Sequence, residues 1–136
     1  MKGKIKLDFV IDKLTNSVQN TITGDSFPTE VSRLTLKDLK SVSKKNGWLF
    51  DWKKELNDDK KDVYKLTIIN SPNVIQGLVS LSNEVDHIYM NLLENAPFNL
   101  GKNKMHDGVA GNLVAYACKF LIIPTHASRI LVEKYF

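Results

Sequence analysis

Residues 84–121, EVDHIYMNLLENAPFNLGKNKMHDGVAGNLVAYACKFL, constrain this chain more than any other stretch. The run His87-Ile88-Tyr89-Met90-Asn91-Leu92 reads as a strand. A polar loop over 95–107 follows it. Gly108-Val109-Ala110-Gly111 then opens a segment with helical spacing, in which Val109, Leu113, Val114, Ala117 and Phe120 share one face. Strand, small-residue loop and helix start together predict an anion site made of bare backbone amides, because a helix N-terminus leaves its first N–H groups unpaired.

The rest of the chain bounds what that unit can belong to. With 136 residues, a single domain with a real core is expected over 1–136. A 43% hydrophobic and 25% charged composition disfavours disorder. The net charge of +4 could attract an anionic ligand, but charge alone says little about fold or partner. Cys118 is the only cysteine, which excludes an internal disulfide and a cysteine metal cluster. Inside a helix it is expected to be a small core residue rather than a nucleophile. His87, His106 and His126 show no metal-ligand spacing, so no metal is expected. Asp8 and Asp12 interrupt the first apolar run, and no apolar stretch is long enough to span a bilayer. A soluble, cytoplasmic protein without membrane partners is the expectation.

Taken in order, residues 5–11 alternate as a half-buried strand, 14–22 are polar, and 27–34 form a second strand in an N-terminal hairpin. Thr35 to Asp38 fits a capping box with Asp in place of Glu; Leu36, Leu39 and Val42 follow on one face, and Gly47 closes the helix. Asp51 starts a short helix. Trp48, Phe50 and Trp52 are expected to plug the core. Strands over 63–69 and 74–81 form a hairpin, with Gly77 predicting a bulge or a close backbone approach. Residues 122–124 carry a short strand signal and 127–136 a helical one. The pattern predicts an α+β fold, a mainly antiparallel sheet flanked by helices.

This order of elements resembles the GNAT acetyltransferase superfamily. The residues that carry the resemblance are Val31-Ser32-Arg33-Leu34-Thr35-Leu36-Lys37-Asp38-Leu39, the Gln76-Gly77-Leu78 step, Glu94-Asn95-Ala96-Pro97, and Gly108-Val109-Ala110 continued by Gly111-Asn112-Leu113. It covers about 30–121, with 1–29 as an added hairpin and 122–136 as a shortened C-terminal part. Met105 stands where the family has Arg or Gln. The resemblance implies a GNAT-like acyl-CoA N-acyltransferase fold, acetyl-CoA as co-substrate, and transfer of its acetyl group to the primary amine of a small molecule or peptide. It further implies that Gly108, Val109, Ala110, Gly111 and Asn112 hold the pyrophosphate with Lys104 and His106 beside them. The backbone of Leu92 and Leu93 would face the thioester, Glu94 would act as base, and Tyr89 would point into the cleft. Two other readings stay open. One is a GNAT-like scaffold without catalysis, a binding module or one that dimerises through an uncovered sheet edge. The other is a nucleic-acid binder using Lys44, Lys45, Lys53 and Lys54 around Trp48 and Trp52, the less favoured of the two.

Overall fold

Seven of the chain's extended segments join one sheet. A computed structural model describes residues 16–84 and 87–119, and the backbone of 130–135. The strands are β1 (Ser17–Asn20), β2 (Ser26–Arg33), β3 (Asp62–Ile68), β4 (Ser71–Asn83), β5 (Ile88–Asn95), β6 (His106–Asp107) and β7 (Ile130–Tyr135). Their order is β6-β1-β2-β3-β4-β5-β7. All neighbours are antiparallel except β5 and β7, which run parallel. With helices α1 (Trp52–Asn57) and α2 (Val109–Cys118), this is an α+β fold. None of the described helices is long and apolar enough to cross a membrane.

Both sheet faces are covered, each by one helical layer. On one face Tyr64, Leu66, Val79, Leu81, Met90 and Leu93 pack under Val109, Leu113, Val114 and Ala117 of α2. On the other, Val63, Ile75 and Leu78 pack against Leu34, Val42, Trp48 and Trp52. The period-2 alternation of strand side chains divides the core this way. Trp48 and Trp52 are only 4% and 1% exposed, so their rings belong to the core and offer no surface on which a base could stack.

Three register shifts interrupt the pairing; one, at Thr67/Ile68, lies by the β3–β4 turn, and the other two are bulges. Leu66 pairs with Gly77 and Thr67 with Ile75, which leaves Gln76 as the extra residue of β4. The bulge expected at Gly77 is therefore present, and the close approach with it: a Cβ there would lie 2.6 Å from Val109 Cγ1. In β5, Ser80 pairs with Leu92 and Leu81 with Met90, so Asn91 is the extra residue. A bulge re-aims the side chains around it. Met90 and Leu93 lie in the core under α2, and Asn91 and Leu92 both fall to the α1 side.

Three local expectations are corrected. The strand expected over 5–11 lies outside the described residues. The first described strand is β1, in the stretch that reads as polar. It buries only Val18, at 2% exposure, and is held by pairing on both sides with β2 and β6, a long-range effect that apolar periodicity does not report. The single helix expected after Thr35 is two 3₁₀ turns, Leu36–Ser41 and Lys44–Asn46. Side chains compete for its carbonyls: Ser41 Oγ donates to Asp38 O at 2.9 Å and Asn46 Nδ2 to Lys40 O at 2.9 Å. The expected ends hold, with Asp38 accepting from Thr35 N–H at 2.9 Å and Gly47 at φ 97°. Finally, the helical signal over 127–136 gives way to a strand in 130–135. Ile130 and Val132 are β-branched, and pairing with the otherwise open edge of β5 satisfies backbone groups that a lone short helix would leave at its ends. The strand signal at 122–124, like Phe120 and His126, lies outside the described residues.

Candidate anion-binding loop and helix start

The strand–loop–helix unit of residues 84–121 folds as β5, a cinched loop, the two-residue β6, and α2. The loop is not a free polar connection. Asn99, 2% exposed, donates through Nδ2 to Gln76 O at 3.1 Å and to Gln76 Oε1 at 3.0 Å. Its Oδ1 accepts from the His106 amide at 3.0 Å. The β4 bulge thus supplies acceptors on which the loop is clasped. A second clasp ties the loop to the β1–β2 turn, where the Thr21 amide donates to Met105 O at 3.0 Å and Thr21 Oγ1 to Lys104 O at 2.7 Å.

That clasp delivers Gly108 to the N-cap of α2 with φ 94°. Only glycine adopts this backbone without strain. No side chain caps the helix, so the amides of Val109, Ala110 and Gly111 begin it without an N-cap acceptor. Val109 and Ala110 turn inward, at 2% and 8% exposure. A Cβ added to Gly111 would meet nothing within 4 Å, so no packing requires a glycine in this first turn. A helix glycine costs roughly 0.5–1 kcal/mol against alanine, and the structure around Gly111 gives no packing return for it.

The other expected site residues are placed as follows. Asn112 has its side chain engaged within the fold: Nδ2 donates to Ser17 O at 2.7 Å and to Gly108 O at 2.7 Å, and Oδ1 accepts from Thr29 Oγ1 at 2.9 Å. It locks the helix start onto β1 and β2. Lys104 pairs with Asp107, the residue before Gly108, with Nζ 2.7 Å from Oδ1, both side chains partly exposed. His106 is not at the anion edge. It is 7% exposed, its Nδ1 lies 3.3 Å from Asn99 Oδ1, and its ring meets Phe27 edge-on at 6.2 Å.

Burial pushes the His106 pKa below the ordinary histidine value. The unfolded chain then takes up the proton first. The His106 contribution to stability is constant above the unfolded value of about 6.5 and is lost as pH drops from there through the lower folded value. We expect the melting temperature to decline between pH 7.5 and pH 5, and His106→Gln to remove part of that slope. Equal slopes in the two proteins would show that His106 is not a titrating element of the clasp.

Glu94 and Tyr89 are on β5. Glu94 is 0% exposed and fully engaged. Its Oε2 accepts from the Leu49 amide at 2.7 Å, and its Oε1 from Trp52 Nε1 at 2.7 Å and the Phe50 amide at 3.3 Å. It is neither an open base nor a solvated loop carboxylate; it cross-links residues 49–52 to the end of β5. Tyr89 is half-buried near the start of β5, opposite Ser82 on β4 and Leu131 on β7. Leu92 and Leu93 pair with β4 on one side and with Lys134 and Tyr135 of β7 on the other. Glu94 and Asn95 follow the last β5 residue paired with the described part of β7, and Asn95 Oδ1 is buried without a hydrogen bond. Cys118 packs against the core under α2, where burial pushes its thiol pKa up. That is the inert environment expected of it.

Sequence reasoning gave Asn99 and Asn91 no role of their own and read Gln76 only as part of the resemblance. Each is a polar residue made structural by a bulge or a clasp between segments far apart in the chain, and no local pattern signals that.

No protein-family model matches the sequence, and no curated protein matches it either. Among solved structures, a transcriptional regulator from Bacillus halodurans C-125 is similar over 79% of this chain and 81% of that one, with TM-score 0.48 and 10% identical residues.

Proposed function

We propose that this is a GNAT-like protein that binds acetyl-CoA through the start of α2 and transfers the acetyl group to a primary amine. The observation that carries the reading is the β5–loop–α2–β7 unit. It is the one parallel crossover among the described strands, and its helix opens uncapped after a left-handed glycine. Amides of 109–111 and the dipole of a ten-residue helix favour a phosphate group. Lys104 is paired with Asp107 at 2.7 Å and would add cationic charge only by exchanging that carboxylate for the phosphate. The thioester would lie at the C-terminal end of β5, near the unpartnered Asn95 Oδ1.

Calorimetry with acetyl-CoA tests the reading, and Gly111 is the residue to change. Gly108→Leu would strain the backbone whatever the ligand does, because of its positive φ. Gly111→Leu meets open space, so the fold is expected to keep or gain stability while the side chain shields the first-turn amides. We expect acetyl-CoA affinity to fall at least tenfold in Gly111→Leu without a drop in melting temperature. Unchanged affinity, or no binding by the parent protein at millimolar ligand, rejects the site.

A second reading, binding without catalysis, is favoured by one observation. Glu94, the expected base, spends both oxygens on three N–H donors. Acetyl-CoA binding with no acetyl loss across an amine panel would establish it.

A further inference from the structure

On the sheet face opposite α2, the two 3₁₀ turns and the start of α1 border a cavity of about 350 Å³. That size falls within the range of small-molecule sites, roughly 300–1,000 Å³. Leu39, Val42 and Phe50 give it an apolar wall. The polar groups around them are donors that the fold leaves uncommitted. Ser43 is the N-cap of the second turn, yet its hydroxyl makes no capping hydrogen bond. Lys44 and Lys53 are exposed, and neither ammonium has an ion-pair partner among the described residues. They are two of the four lysines that the sequence groups around the tryptophans. The carboxylate in the lining, Asp51, is already engaged, accepting from the Lys54 amide at 3.1 Å to cap α1.

We propose that this cavity binds an alkyl carboxylate, its head group held by Lys44 and Lys53 and its chain laid along Leu39, Val42 and Phe50. Both ammoniums can only donate, so the ligand's head group must accept, and an anionic acceptor gains most. Two cations against one carboxylate leave the lining with a single positive charge, which matches a carboxylate monoanion better than a phosphate dianion. The tail is aliphatic rather than aromatic because Trp52, the largest ring at the cavity, is 1% exposed and offers no face for stacking. An exposed ion pair alone is worth little, so the head group by itself cannot hold the ligand. Each methylene covered by the apolar wall adds to affinity, so charge and chain are both required. A bound carboxylate would tie the second 3₁₀ turn to the start of α1. The site stands apart from the proposed acetyl-CoA reading, since it lies on the other face of the sheet from the α2 core and uses none of residues 104–112.

The test uses sodium hexanoate, with 1-hexanol as its neutral match and acetate as the head group without a chain. Each is titrated into the full chain at pH 7 and followed by amide chemical shifts. We expect hexanoate to shift Leu39, Ser43, Lys44 and Lys53 in a saturable way, with affinity at least tenfold above that of 1-hexanol or acetate. The double variant Lys44→Met, Lys53→Met keeps the side-chain stems and removes both charges. Because both lysines are exposed, its fold is expected to persist, which the same spectrum checks. Hexanoate affinity should fall at least tenfold in it. Hexanoate should also raise the melting temperature of the parent and not that of the variant, as a ligand of the folded state does. Equal affinity for hexanol would mean an apolar surface only, and equal affinity for acetate would mean ion pairing to surface lysines only; either overturns the site. Shifts scattered over other lysines, or undiminished affinity in the double variant, overturn it as well. If the variant does not fold, the parent titrations decide alone: no saturable shift at these residues rejects the proposal.

Discussion

Glu94→Ala is expected to destabilise the protein by roughly 3–5 kcal/mol, the range for breaking a buried polar network. Three donors lose their acceptor at once: the Leu49 and Phe50 amides and the Trp52 indole. The Trp52 side chain is 1% exposed, so water cannot simply replace the carboxylate on its nitrogen. Glu94→Gln keeps one acceptor oxygen but presents an amide N–H₂ to donors. It should fall between parent and alanine variant, at about 1–3 kcal/mol, the cost of an unsatisfied buried group. Urea unfolding measures both. Trp52→Phe provides the internal check, because it removes one of the three donors: Glu94→Ala should cost less in that background than alone. A Glu94→Ala protein within 1 kcal/mol of the parent would mean that the cross-link carries no stability.

The second large effect is expected at Gly77. Its absent Cβ leaves room for α2. A methyl group there would lie 2.6 Å from Val109 Cγ1, 3.1 Å from Leu113 Cδ1 and 3.2 Å from Glu94 O. Val109 is a stiff, β-branched residue at 2% exposure, so it cannot turn aside and the helix must lift. Gly77→Ala should cost about 1–3 kcal/mol, as overpacking does. Val109→Ala removes the worst contact, so the pair should be more stable than the sum of the single changes predicts. Rescue is incomplete because the contact with the Glu94 carbonyl remains. A thermal or urea melt of the four proteins decides it; strict additivity would mean that α2 does not rest on Gly77. Because α2 also carries the uncapped amides, Gly77→Ala should weaken acetyl-CoA binding through the helix position if the proposed site is right.

Both residues illustrate how far a linear reading reaches. Gly77 was legible, because a glycine inside an apolar strand signals a bulge or a close approach, and both are present. Glu94 was legible only as a carboxylate at a strand end. Whether it faces solvent, a substrate or an indole depends on where residues 48–52 fold back, and they lie more than forty positions away in the chain. The same holds for the C-terminal strand. Its residues fit a helix as well as a strand, and the free edge of β5 decided the matter.

By itself the sequence determined the α+β class, the hairpin of β3 and β4, the strand β5, and the start of α2 after Gly108. All of these follow from local periodicity and turn chemistry, which act over a few residues. Only the tertiary structure decided what the opening stretch does with its polar side chains. Asn99 and His106 clasp the loop to the β4 bulge, and Asn112 binds the helix to β1 and β2. Glu94 locks the opposite face. The physical reason is that a buried polar group must find a partner wherever the fold supplies one, and that partner's distance along the chain leaves no trace in the residues around it.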